Sequence, residues 1–455
     1  MQIMSDTTPK TTLAELDRYI VGQKDAKRSL AVALRERDRR LKLEEPMRSE
    51  IGPKNILLIG PTGVGKTEIV KRLARMVDAP FIKVEATKFT EVGYVGHDVE
   101  SIVRDLADAS VNLVHQERTS EVQDAADKAA LDRLIGYLMK SDAGSTKEEL
   151  TENQPGQKVP ARRRRASMAR MLKNNELEES VIEIEVDNED GFSSVLEFVS
   201  GIGSDEVTEQ FHEFMHSLST SRQRMRRVPV REARRILTQE EANKLIDFDR
   251  VVDDAISRVE ETGIVFIDEI DKLVTRGGDY GPDVSGEGVQ RDLLPIVEGA
   301  SVATRYGMVK TDHILFVGAG AFNRSRPSDL LPELQGRFPL RVEFESLNQA
   351  DFVRILTEPE NALVKQYAAL LGTENVKLEF TEDGVQEVAR TAFELNEHAE
   401  NLGARRLYGV MEKVLEDVSF DAPDRDGETV TIDASFVRAR MEAVVRSDDI
   451  SRFIL

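Results

Sequence analysis

The stretch "NILLIGPTGVGKTEIVKRLARMV" (55–77) decides the fold. Four apolar residues run into a glycine-rich turn, and a helical pattern follows. Gly60, Gly65, Lys66 and Thr67 fill the fixed places of G-x-x-x-x-G-K-[ST], and the strand–loop–helix flanks are those this phosphate-binding pattern requires. Glycines let backbone N–H groups converge on a phosphate, and the helix N-terminus adds the positive end of its dipole. Gly63, Val64, Gly65, Lys66, Thr67 and Glu68 are therefore the residues expected around a bound nucleotide. Lys66 is expected at the β- and γ-phosphates, with Thr67 on Mg²⁺.

Working outward, four more short β-rich runs follow: "FIKVEA" (81–86), "GIVFIDE" (263–269), "HILFVGAG" (313–320) and "LRVEFE" (340–345). Apolar runs of this kind joined by helical stretches indicate a buried parallel sheet of the α/β class, here with five strands. The acidic pair Asp268–Glu269 closes the third run. Acids at the carboxyl end of such a strand share the ligand-binding edge of the sheet. Asp268 is expected to hold Mg²⁺. Glu269 is expected to act as general base on the attacking water.

Between the second and third runs lie far more residues than one crossover needs. A separate, largely helical domain is expected over 111–250, inserted into a nucleotide-binding domain formed by 1–110 and 251–345. Within it, 141–167 reads as a polar, flexible segment. "SVIEIEV" (180–186) reads as a strand, and 217–249 as a basic helical stem broken near Pro229. Residues 346–455 form a mainly helical C-terminal α+β domain. Residues 11–43 read as a pair of helices.

The chain has 455 residues, 40% of them apolar, and a formal net charge of −21. That acidity disfavours nucleic acid and anionic membranes. Cysteine is absent, which excludes disulfides and cysteine-based zinc sites. The N-terminus lacks the pattern of a secretory signal, and no window approaches the ~18 apolar residues of a membrane helix. The expectation is a soluble, cytoplasmic protein. Arg162–Arg165 and the run Arg222, Arg224, Arg226 and Arg227 read as solvated faces, because no aromatic stacking residues are interleaved with them.

Two further stretches call for a reading. "GYVG" (93–96) hangs Tyr94 and Val95 between Gly93 and Gly96. A packed turn, an RNA-clamping loop and a moving paddle all fit those four residues, although the acidic neighbours Glu91, Asp98 and Glu100 oppose the clamp. The chain ends on the apolar Phe453, Ile454 and Leu455, which either pack at home or dock elsewhere.

Together, "GPTGVGKT", "GIVFIDEIDK", "PELQGRF" (332–338) and "GARRL" (403–407) resemble AAA+ ATPases of the Clp/Hsp100 type. More narrowly, "IVGQKDAKRSLAVALR" (20–35), "KFTEVGYVGHDVESIVRDL" (88–106), "GPDVSGEGVQRDLLPIVEG" (281–299) and the terminal "SRFIL" are similar to the HslU family, the ATPase and unfoldase components of HslUV proteases. The resemblance implies an ATP- and Mg²⁺-dependent homo-hexamer that unfolds protein substrates and feeds them to the peptidase HslV. It implies that Arg337 is an arginine finger reaching the neighbouring subunit's nucleotide, with Glu333 nearby. It also implies that Arg405 is a sensor arginine and that Val21 lines the adenine pocket. Gly93, Tyr94, Val95 and Gly96 become a substrate-gripping pore loop, and Arg452, Phe453, Ile454 and Leu455 a peptidase-docking tail. The fourth run ends "VGAGAF", with Ala319 where many AAA+ proteins carry Asn or Thr, so no residue is assigned there. The alternatives are a ClpX-like unfoldase, whose N-terminal cysteine-rich zinc domain is missing here, and, more distantly, a DNA-remodelling AAA+ motor.

Overall fold

The computed structural model describes residues 8–89, 98–145, 161–186, 224–274, 284–398 and 401–445. The chain divides into two compact units, one built from Met1–Leu113 with Val252–Leu455 and the other from Val114–Val251. In chain order the strands are β1 (Ile56–Ile59), β2 (Phe81–Glu85), β3 (Val181–Val186), β4 (Arg224–Pro229), β5 (Ile264–Asp268), β6 (Ser301–Thr304), β7 (Gly307–Lys310), β8 (Leu315–Gly320), β9 (Leu340–Glu343), β10 (Lys377–Phe380) and β11 (Thr429–Ile432).

The expected five runs form one parallel sheet in the order β2-β5-β8-β1-β9. Its central strands are buried on both faces, which is why their sequences are continuous rather than alternating. Leu57, Val265, Ile267 and Phe316 enter one core with the helices Ser101–Ser145 and Val284–Glu298. Ile56, Leu58, Ile264, Phe266, Leu315 and Val317 enter the other, with the helices Lys24–Leu41 and Lys66–Met76. All five strands point the same way, so their carboxyl ends share one edge of the sheet.

The C-terminal region is built on Phe352, Leu356, Val388, Leu407, Met411 and Ile432. Its helices surround a two-stranded parallel pair in which Lys377 to Phe380 match Thr429 to Ile432. Among the described residues, no helix is long and apolar enough to cross a membrane.

The second unit corrects two expectations. Arg224 to Pro229 is a strand, not a helical stem. It pairs antiparallel with β3, with Ile182 opposite Val228 and Glu183 opposite Arg227. Ile182, Ile184 and Val228 are buried with Leu134, Leu172 and Leu237, and Arg227 forms an ion pair with Glu183. Burial of one face and charge pairing on the other override the helical look of the basic run. Helix begins only at Val230, directly after Pro229. Helix also covers both ends of the segment expected to be flexible, whose middle, 146–160, lies outside the described residues. One helix extends to Ser145, and another, Ala161–Lys173, starts at 161. Arg162 to Arg165 lie exposed on it.

Candidate functional site

β1 delivers the chain into the glycine-rich turn at the carboxyl edge of the sheet. The Gly60 N–H donates to Gly320 O of β8 at 3.2 Å, tying the turn to the sheet's centre. At Gly63 the backbone adopts φ +76°, and a Cβ there would stand 2.0 Å from Leu402 O. A side chain is therefore excluded twice, by conformation and by space. The helix Lys66–Met76 opens from Gly65. Lys66 is buried and donates to Gly60 O at 2.6 Å and Pro61 O at 2.8 Å. An ammonium has three donors, so one N–H stays uncommitted among the described residues. Burial pulls its pKa down, Asp268 and Asp271 oppose that pull, and Arg405 adds to it. Those influences put the loop lysine, both acids and the C-terminal arginine in one electrostatic neighbourhood. Val64 is buried, whereas Thr67 and Glu68 are partly exposed, Glu68 pairing with Arg72 at 2.7 Å.

The acidic strand end reaches this edge from one strand further away, because β8 lies between β5 and β1. Asp268 accepts from Lys83 Nζ at 2.8 Å and from the Glu269 N–H at 3.1 Å. Glu269 sits in the left-handed region, φ 57°, which turns the chain sharply out of β5. Its carboxylate meets Lys272 at 2.7 Å and remains partly exposed. Asp271, which sequence reading passed over, accepts from the Phe322 N–H at 3.1 Å. The end of β8 accommodates it because Gly320 has no side chain, a Cβ there falling 2.8 Å from Asp271 Oδ1. The only signal was a third acid, three residues after Asp268. Ala319 is fully buried.

The C-terminal region touches the loop directly. The Ala404 N–H donates to Gly63 O at 3.0 Å, and a Cβ on Gly403, φ +58°, would stand 2.5 Å from Thr62 O. Buried Asn396 holds this junction. It donates to Gly403 O, accepts from the Leu402 N–H, and accepts from Arg406 Nε. Arg405 begins the next helix and is exposed. A cavity of about 220 Å³ opens here, lined among others by Pro61, Val64, Leu347, Phe352, Phe393 and Asn396. Val21 is buried but is not among the residues lining it. Its neighbour Ile20 approaches Gly65, and Gln23 exchanges two hydrogen bonds with the Glu345 backbone.

Two expected residues are not gathered with this group. Glu333 and Arg337 lie exposed on the short helix Pro332–Arg337, and Arg337 bonds Glu298 at 2.9 Å. Gly93 to Gly96 and Arg452 to Leu455 lie outside the described residues.

Residues 56–122 match the family model for the ATPase family associated with various cellular activities (AAA). Residues 192–341 match the model for an AAA domain of the Cdc48 subfamily. The chain is also 52% identical over 457 residues to the ATP-dependent protease ATPase subunit HslU of Persephonella marina, covering 100% of both chains. It belongs to the HslU family. The HslU of Desulfitobacterium hafniense is 53% identical, over 99% of this chain and all of its own. That of Thermotoga maritima is 50% identical over the full length of both. The HslU resemblance carried by the sequence motifs thus extends over the whole chain, which is an ATP-binding AAA ATPase.

Proposed function

We propose that this HslU-family chain is the unfolding and translocating ATPase of a two-component protease, working as a cytoplasmic homo-hexamer that passes substrates to the peptidase HslV. The observation that carries the reading is the Ala404–Gly63 hydrogen bond. It joins the phosphate loop to the C-terminal region, so that a change at the loop is felt where Arg405 begins its helix.

Lys66 supplies charge to the transferring phosphoryl group, whose transition state spreads negative charge over its oxygens. The Thr67 hydroxyl and the Asp268 carboxylate are hard oxygen donors, partly open to solvent, and fit Mg²⁺. Held there, Mg²⁺ would supply positive charge to the nucleotide's phosphates. Glu269 takes a proton from the attacking water. Lys272, 2.7 Å from its carboxylate, holds it in place at the strand end. Arg337 serves the neighbouring subunit's nucleotide, with Glu333 beside it, and Arg405 reports phosphate state. Val21 belongs to the adenine side. Tyr94 and Val95, between Gly93 and Gly96, grip unfolded chain, and Arg452 to Leu455 dock on HslV.

The test measures ATP turnover and peptide cleavage with and without HslV. Stimulated cleavage that disappears in Glu269→Gln supports the reading. Cleavage unaffected by the chain, or ATPase stimulated instead by DNA, overturns it.

A further inference from the structure

The Arg337–Glu298 pair has a geometry suited to aiming. Glu298 closes the helix Val284–Glu298 at a braced corner. Gly299 follows with φ +113°, where a Cβ would stand 2.6 Å from Asp312 Oδ1. Buried Thr311 fastens both sides, donating to Ile296 O at 2.7 Å and accepting from the Ala300 N–H at 2.8 Å. Arg337 is anchored as firmly. Leu334 and Phe338, on either side of it in the chain, are 0% and 1% exposed, and Gln335 donates to Ser328 O and Leu330 O. Two fixed backbones thus present two side chains that are themselves about half exposed.

The bond runs from Arg337 Nε to Glu298 Oε1. A guanidinium has five N–H donors, four of them on the two Nη atoms. Among the described residues no other partner engages Arg337, so the fork that takes a phosphate is left uncommitted. A carboxylate meant to withhold the arginine would occupy that fork. Helix stability does not account for Glu298 either, since a carboxylate at a helix C-terminus opposes the dipole. An exposed ion pair contributes little to folding.

We propose that Glu298 is a positioning residue that holds Arg337 by its Nε, so that both Nη groups face an anionic phosphoryl group on a second copy of the chain. This rests on Arg337 acting in trans. Glu298→Ala should lower kcat for ATP on the order of 10- to 100-fold, the scale of a misplaced catalytic group. KM for ATP and the thermal midpoint should be unchanged, with partial recovery in Glu298→Asp. In Arg337→Lys, which lacks the Nε, adding Glu298→Ala should change nothing further. Unchanged or raised kcat in Glu298→Ala, a loss confined to KM or to stability, or a full loss repeated in the Arg337→Lys background overturns the proposal. Normal turnover in Arg337→Ala overturns instead the reading on which it rests.

Discussion

The two edges of the five-stranded sheet are built on opposite terms. At the edge where the strands begin, side chains tie the backbone down. Arg37 donates to the carbonyls of Glu261, Thr262, Gly263 and His313. Arg40 and Arg48 both pair with Glu261, and the Asn55 side chain accepts from the Phe316 N–H. At the edge where the strands end, the backbone is forced. Gly60, Gly63, Gly65 and Glu269 all have positive φ. Lys66 is buried on two carbonyls with a donor to spare. One edge closes the fold, and the other keeps its bonding capacity for a ligand. Strain and uncommitted donors gather where function needs them.

That contrast can be broken from either side. Lys66→Met should abolish ATP turnover, by more than about 100-fold, while leaving the urea midpoint near wild type. Loss of folding instead would mean that the ligand edge also holds the sheet together. Arg37→Met should do the reverse, costing about 3 kcal/mol in urea unfolding because four carbonyls lose their donor. ATP turnover per folded molecule should persist, and a selective loss of catalysis would erase the distinction between the edges. Gly403→Ala tests the junction. The left-handed conformation costs about 1–2 kcal/mol for a residue with a Cβ, and contact with Thr62 O must push the loop. ATP affinity should fall about 10-fold by equilibrium titration, and unchanged affinity would uncouple the C-terminal region from the loop.

The smallest effect is on pH. Burial holds Lys66 below its ordinary value of 10.5, so the folded chain binds fewer protons there than the unfolded chain as pH approaches 10.5 from below. Stability gains slightly across that window while ATP affinity falls, because the neutral amine no longer attracts phosphate. Affinity measured against pH should show this slope in wild type and not in Lys66→Met.

The ligand edge was the more legible in sequence. Lys66, Thr67, Asp268 and Glu269 sit at fixed offsets from strand ends, and local spacing encodes them. Arg37 carries no such signal, since its four acceptors lie more than 200 residues away along the chain. Asn396 and Gly403 matter through a contact with Gly63 that only the folded chain creates. The strand Arg224–Pro229 was misread because its apolar partners, Ile182 and Ile184, come from another stretch. The Arg337–Glu298 pair was likewise invisible, because the resemblance singles out Arg337 while Glu298 looks like an ordinary surface charge.

The parallel pairing of β10 with β11 has a consequence for how the molecule comes into being. Lys377 to Phe380 find their partners only at Thr429 to Ile432, and the Arg405 helix lies inside the loop so enclosed. Parallel pairing across a long separation closes slowly and late. During synthesis the phosphate loop emerges long before Thr429 to Ile432, so the helix bearing Arg405 can be held in its folded frame only once that later strand has left the ribosome. A chain truncated before Thr429 carries the ATP-binding loop without the finished junction that touches it.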